Sequence, residues 1–530
     1  MGSAKRVGGQ RRLTGGPWPI LAVLVLAFAL RTINLNGRPL WYDEAFAVLY
    51  AEKPFETMLY GTVAQVEGAA ADVHPLFFYS LLHLWMKLVG QSPLAVRSLS
   101  VLLGAATVGM VYLLARRIFD RKVGLLAALV ASLAPFAVYY AQEARMYALL
   151  GFVAMTTAYF FTRAWSGGRK GDWLLFGLFG AMTLYAHNLG FAFLAGLDLW
   201  VLGTWLRSGW REPLWRKRNF GSLLLAHLLM LALFAPWLAI VPSQFGKIRH
   251  AYWVERPGLT TLIQTLLVFH FGYDNQALPP WLLPPALFFS LLIPAIVVVA
   301  LLRGRAARRR PAFHALPLLL AVAPPLLIFV LSQVQPVYII RALLPSALAY
   351  YVLLVAVLTR RTIPSFVRWG IWLPALGIVV ASLVNHYGYA HFPRPPFAEA
   401  AAYLRAHYQP GDVIVHSNKL TFLPTHYYDR TLPQAFIADK PGSPSDTLAY
   451  PTQQALGLFA TQDLPTATEG HDRVWFVIFQ RAVEEYQEAG YATHPHLAWL
   501  EGHYQREGVT SFNDLDVYEY RAIPEGDREP

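Results

Sequence analysis

The sequence predicts a mainly α-helical, polytopic membrane protein with a small extracytoplasmic α/β domain at its C-terminal end. Three observations carry that prediction. Hydrophobic residues make up 55% of the 530-residue chain and charged residues only 14%, with a mean hydropathy of +0.38, whereas soluble domains carry about 25% charge. Eleven apolar segments alternate with junctions of which every second one is basic, the pattern of a chain that crosses a bilayer repeatedly with its positive loops inside. The charge also changes sign along the chain: residues 1–390 hold 34 Lys/Arg against 13 Asp/Glu, and residues 391–530 hold 10 against 19.

The net charge of +12 therefore comes from inner-loop clusters, and no nucleic-acid partner is expected. The chain has no cysteine. Disulfides, cysteine–zinc sites, iron–sulfur clusters and thiol nucleophiles are excluded.

At the N-terminus, Lys5, Arg6, Arg11 and Arg12 precede an apolar run over 17–30. This places the N-terminus inside and sends the first helix outward. Ala27-Phe28-Ala29 resembles a signal-peptidase site, but the many later spans favour an uncleaved first helix. An outer loop over 36–93 follows, holding Asp43, Glu44, Glu67, Asp72 and His74. Its apolar stretch 76–89 is short and carries His83 and Lys87, so it reads as an interfacial or re-entrant helix.

Ten further spans are expected at 94–115, 123–141, 147–162, 173–188, 189–206, 220–241, 281–302, 313–331, 339–359 and 370–387. Their basic turns leave 142–146, 187–188, 242–280 and 332–338 outside, together with the C-terminal end. From about Phe392 the pattern becomes that of a soluble chain. A helix at 399–407, strands at 413–415 and 474–479, a helix at 481–489 and a strand near 516–520 suggest a small α/β fold. The predicted division is a transmembrane unit over 1–390 and an outer domain over 391–530. No glycine-rich phosphate loop and no internal repeat is present.

The polar outliers can all be placed on one face, the outer one. Leu40-Trp41-Tyr42-Asp43-Glu44 opens the first outer loop. Trp41 and Tyr42 suit an aromatic belt, whereas two carboxylates beside a membrane anchor are costly unless they meet water, a cation or a substrate. Asp43 is placed to accept a proton from an acceptor hydroxyl. In Asp72-Val73-His74-Pro75, Pro75 suits a first helical turn and Asp72 its positive end. His74 can donate to a phosphate oxygen, or share a divalent cation with Asp72. Gln142-Glu143-Ala144-Arg145-Met146-Tyr147 breaks two hairpinned spans, leaving Glu143 and Arg145 to pair with each other or with a substrate. The guanidinium of Arg145 suits a lipid phosphate. Arg341, in Val337-Tyr338-Ile339-Ile340-Arg341, lies at the outer end of an apolar span, where it can also snorkel. His187 and Asn188 read as turn residues.

Together these residues resemble the GT-C glycosyltransferases, specifically the bacterial relatives of protein O-mannosyltransferases and aminoarabinose transferases. The Gln142–Tyr147 run is the most specific piece. The resemblance implies a polyprenyl-phosphate sugar donor reached from the bilayer, a lipid, glycan or protein acceptor outside the cytoplasm, and inversion at the anomeric carbon. It makes Asp43 the expected base and His74, Arg145 and Arg341 the expected donor-phosphate contacts; Glu44, Glu143, Tyr147 and Tyr338 are the other expected substrate contacts. Aminoarabinose transferases have Glu-Lys-Pro where this chain has Val73-His74-Pro75, so any metal falls to Asp72 and His74. The rival reading is a transporter or flippase of lipid-linked saccharides, which predicts internal repeats and broken, charged spans near the midplane.

Overall fold

The computed structural model describes residues 16–523 apart from 68, 168, 208–218, 251–252, 273–277 and 304–311. The basic cluster at residues 5–12, and most of the basic turns at 207–218 and 303–310, lie outside the described residues. The chain is mainly helical, and every apolar segment expected from the sequence contains helix. Among the described residues six helices are long and apolar enough to cross a bilayer: Pro93–Ile118, Phe220–Leu238, Leu283–Arg303, Phe313–Leu331, Ile340–Leu358 and Ser365–Gly388. Arg121–Leu133 with Pro135–Ala141 makes a seventh if the pair is one span bent by 62°. By length and composition alone, the described residues hold six or seven of the eleven expected spans. The first helix, Trp18–Thr32, has only 15 residues, Lys170–Ala186 has 17, and Tyr147–Trp165 and Gly190–Arg207 fall short in apolar character.

Local chemistry sets several boundaries. The Ser92 side chain accepts from Ala95 N at the start of Pro93–Ile118, and Asp120 does the same for Val123 N. Each satisfies an amide that the helix itself leaves unpaired. Pro135, at the first position of Pro135–Ala141, cannot continue the preceding helix, and the bend falls there. Phe77–Val89 is a 13-residue helix ended by Gly90 at φ 87°, too short to span.

At the centre of the bundle, every residue of Leu344–Leu358 is buried. A helix that is apolar all round belongs in such a position. Helices Pro93–Ile118 and Pro135–Ala141 meet at Gly104, where a Cβ would stand 2.5 Å from the Ala141 Cβ. Only glycine allows that approach.

The C-terminal segment forms a five-stranded sheet in the order 434–436, 413–416, 473–479, 515–522, 504–512. The first three strands are parallel and the last two antiparallel. Its central strand, Arg473–Phe479, is buried along Val474–Phe479. The sheet region sits on the segment between the first helix and Pro93–Ile118. Leu40 N donates to the Tyr428 hydroxyl at 2.8 Å, and Thr452 Oγ1 and the Tyr60 hydroxyl cross the junction to Gly61 O and Gln454 Oε1, also at 2.8 Å. Arg430 forks onto Glu52.

Candidate active site

Asp43 lies in the first turn of the helix Tyr42–Ala51, where a carboxylate faces the positive helix end. Arg145 ends the tight turn after Pro135–Ala141, and Arg341 lies in the short 3-10 turn Ile340–Leu343 that opens the central helix. Three distant stretches of sequence thus converge. The Asp43 Oδ2 stands 3.7 Å from Arg145 Nε and 3.5 Å from Arg341 Nη1. Arg145 Nη1 also donates to the Asp43 carbonyl at 3.4 Å and to the Tyr79 hydroxyl at 3.3 Å. The Arg341 guanidinium lies over the Tyr147 and Trp253 rings, 5.4 and 5.3 Å from their centroids.

These contacts are loose. The buried Oδ2 of Asp43 and Nε of Arg145 are both without a hydrogen-bonding protein partner, which is uncommon for buried polar atoms. Burial opposes the charged form of Asp43, yet Arg145 and Arg341 outweigh it and hold the carboxyl below its ordinary range.

Asp72 and His74 form the second edge. The Asp72 carboxylate accepts from Val73 N and His74 N and lies 2.9 Å from His74 Nδ1. This is a local turn that fixes the imidazole. Burial is again opposed, here first by His74, and Asp72 is held low. Asn188 and Gln244 hold the same loop from outside: Asn188 Nδ2 donates to Val73 O at 2.8 Å and Gln244 Nε2 to Asp72 O at 3.3 Å. His187 packs against both His74 and Tyr147, with centroids at 6.4 and 6.0 Å. Its Nδ1 accepts from Leu189 N, so the Nε2 carries the ring proton. Among the described residues no cluster of three metal-ligating side chains occurs; Asp72 and His74 face each other.

Three expected substrate contacts lie elsewhere. Glu44 is fully buried and holds Arg97 through two bonds of 2.7 and 2.6 Å, while its Oε1 also accepts from Ala144 N at 3.0 Å. Burial opposes its charge, but Arg97 wins and keeps the carboxyl low. This pair accounts for Arg97, an arginine inside an apolar span. Its Nη1 and Nη2 also donate to the carbonyls of Leu35, Arg38 and Pro39. Glu143 does not pair with Arg145. It is buried against Arg394, at 3.1 Å, and burial pushes its carboxyl up to about 7, only partly offset by that guanidinium. Tyr338 bonds Thr265 through their hydroxyls at 2.9 Å and ties the segment before the central helix to the helix Leu259–His270.

The sequence reading missed Tyr79 and His187 as neighbours of the site. Tyr79 sits in an aromatic-rich helix where one more ring carries no signal. His187 sat in a tight turn, and only its placement on the outer face pointed here.

Comparison with known proteins agrees with this architecture. Residues 73–240 match the family described as dolichyl-phosphate-mannose-protein mannosyltransferase. The apo structure of ArnT from Cupriavidus metallidurans superposes with a TM-score of 0.61 at 15% identity, covering 94% of this chain and 97% of that one. Its undecaprenyl-phosphate-bound form gives 0.58 at 15% identity over 96% and 98%. The apo oligosaccharyltransferase of Archaeoglobus fulgidus gives 0.55 at 11% identity over 97% and 76%. No curated protein sequence matches significantly. At these identities the likeness is one of fold: the chain has the fold seen in ArnT.

Proposed function

We propose that this GT-C-fold protein is an inverting glycosyltransferase that moves a sugar from a polyprenyl-phosphate donor to a lipid, glycan or protein acceptor on the outer membrane face. The observation that carries the reading is a mostly buried carboxylate, Asp43, that faces two guanidinium groups at 3.5–3.7 Å while its Oδ2 has no hydrogen-bonding protein partner. Transfer from a sugar phosphate asks for that set. The phosphate leaves readily once its charge is stabilised, and the acceptor hydroxyl needs one base. The positive-inside pattern of the sequence supports placing this cluster and the C-terminal segment outside.

In this reading the donor phosphate draws Arg145 and Arg341 off Asp43 and binds between them, with His74 donating from the side. The acceptor oxygen attacks the anomeric carbon from the face opposite the phosphate. The bond from that carbon to the phosphate oxygen breaks, the acceptor proton passes to Asp43, and polyprenyl phosphate leaves with its charge held by the two arginines. Asp43, freed from both cations, becomes a stronger base at the moment it is needed. A cation between Asp72 and His74 is not required by this scheme.

The test is transfer of labelled sugar from a panel of polyprenyl-phosphate donors by purified protein in lipid nanodiscs, with wild type and Asp43→Asn compared. Transfer by the wild type and none by the variant is expected. Equal transfer by both removes Asp43 as base; no transfer or donor hydrolysis by folded wild type with any donor overturns the reading.

A further inference from the structure

Arg394 lies on the connector between Ser365–Gly388 and Phe397–His407. It points inward, not to water, and is fully buried. Its Nη2 donates to Glu143 Oε1 at 3.1 Å, and its guanidinium stands 5.1 Å from the centroid of the Tyr139 ring. A long basic side chain beside a membrane ordinarily snorkels to the interface, and burying it is costly unless a carboxylate receives it. Here the receiving carboxylate belongs to the turn that presents Arg145. The Glu143 carbonyl accepts from Arg145 N at 2.8 Å, and the intervening Ala144 N donates to Glu44. The turn is therefore held from two sides, by Glu44 from the first outer loop and by Arg394 from the C-terminal connector. Arg145's own side-chain contacts, at 3.3–3.7 Å, are too long to fix it alone.

We propose that Arg394 is a positioning residue: through Glu143 it sets where Arg145 stands, so that seating the C-terminal segment and preparing the phosphate site are one event. The inference rests on reading the Arg145 site as one for a polyprenyl phosphate. It gives the C-terminal segment a role in the reaction without requiring it to touch substrate. The other fastenings provide the contrast. Arg430 on Glu52 holds the same segment to the first outer loop, but neither residue contacts the 142–146 turn.

The experiment measures affinity for polyprenyl monophosphate, rate of sugar transfer and thermal stability in nanodiscs. The variants are Arg394→Ala, Arg394→Lys, Glu143→Ala, the Glu143→Ala/Arg394→Ala double and Arg430→Ala. Arg394→Ala is expected to bind the lipid phosphate about tenfold more weakly and to transfer at least about tenfold more slowly, since small misplacements near a reacting centre cost this much. Arg394→Lys recovers most of both. The double variant loses no more than the worse single one, because both changes break one link. Arg430→Ala keeps its affinity within about twofold while losing stability.

Wild-type affinity in folded Arg394→Ala overturns the proposal, as do equal affinity losses in Arg394→Ala and Arg430→Ala, or additive losses in the double variant. Should Arg394→Ala fail to fold, Arg394→Lys and Glu143→Ala decide, and wild-type affinity in Glu143→Ala overturns it. A wild type that binds polyprenyl phosphate without transferring sugar removes the transferase reading and leaves the positioning effect measurable in affinity. One that binds no polyprenyl phosphate removes both.

Discussion

Asp43 and Glu44 are neighbours in sequence and opposites in structure. The Asp43 side chain is 16% exposed and meets its arginines at 3.5–3.7 Å, whereas Glu44 is fully buried and grips Arg97 at 2.6–2.7 Å. The same contrast recurs across the 142–146 turn. Arg145 looks into the loose cluster, and Glu143, two residues before it, is locked against Arg394 with no exposure. Charge alone does not mark the site. Dry ions held at 2.6–3.1 Å form the frame, and the ions beside them meet only at 3.5–3.7 Å. Buried pairs of the first kind add little net stability, but breaking one leaves an uncompensated charge.

The largest expected effects test that division directly. Asp43→Asn should lower transfer by about 10² to 10⁴, the usual range for a general base, while losing less thermal stability than Glu44→Gln because its arginines are held more loosely. Glu44→Gln should do the reverse in kind. It leaves Arg97 buried without its counter-charge, which costs about 3–5 kcal/mol, so the variant should melt far earlier or fail to accumulate. If Asp43→Asn collapses the fold while Glu44→Gln is stable and inactive, the roles of frame and site are exchanged.

The sequence shows the site's charges more readily than their division of labour. Asp43, Arg145 and Arg341 stand out because a bilayer makes every charge beside an apolar span costly, so each needs a reason. Which of two adjacent carboxylates faces the ligand is decided elsewhere. For Glu44 it is decided by Arg97, 53 positions away, and for Glu143 by Arg394, 251 positions away. No local pattern reports such pairings. The helical segments were legible because their apolar runs are long, although several of the helices are short or carry polar residues. In the C-terminal segment the buried strand Arg473–Phe479 could be read from its apolar run. The strand Tyr504–Phe512 could not, because it is a largely exposed edge with an irregularity between Arg506 and Gly508.

A smaller effect separates the two cations. Arg145→Lys and Arg341→Lys keep the charge but lose the planar fork that matches phosphate oxygens. Each should weaken polyprenyl-phosphate binding about ten- to a hundredfold, the worth of a charge-assisted hydrogen bond or two. Arg341→Lys also loses its stacking over Tyr147 and Trp253, so it should be the worse of the pair. Unchanged affinity in both variants, measured by lipid-phosphate titration, would place the phosphate elsewhere.

The smallest effect is a displacement between two pH profiles. In the ligand-free protein burial opposes the charge of Asp43, but Arg145 and Arg341 hold its carboxyl below its ordinary range, so it stays ionised to lower pH than an ordinary carboxylate. A bound donor phosphate competes for both guanidinium groups, and Asp43 then titrates higher. The acid limb of kcat/KM, which reports the free protein, should therefore lie at lower pH than the acid limb of kcat, which reports the donor complex. Activity in both profiles is lost as the pH falls, because protonated Asp43 cannot accept the acceptor's proton. The frame offers the control. Burial pushes the Glu143 carboxyl up, only partly offset by Arg394, and any limb it contributes above the Asp43 limbs should vanish in Glu143→Gln while the Asp43 limbs and the gap between them remain. Coincident limbs for kcat and kcat/KM would mean that the phosphate never displaces the arginines from Asp43, and the loose cluster would then belong to the frame after all.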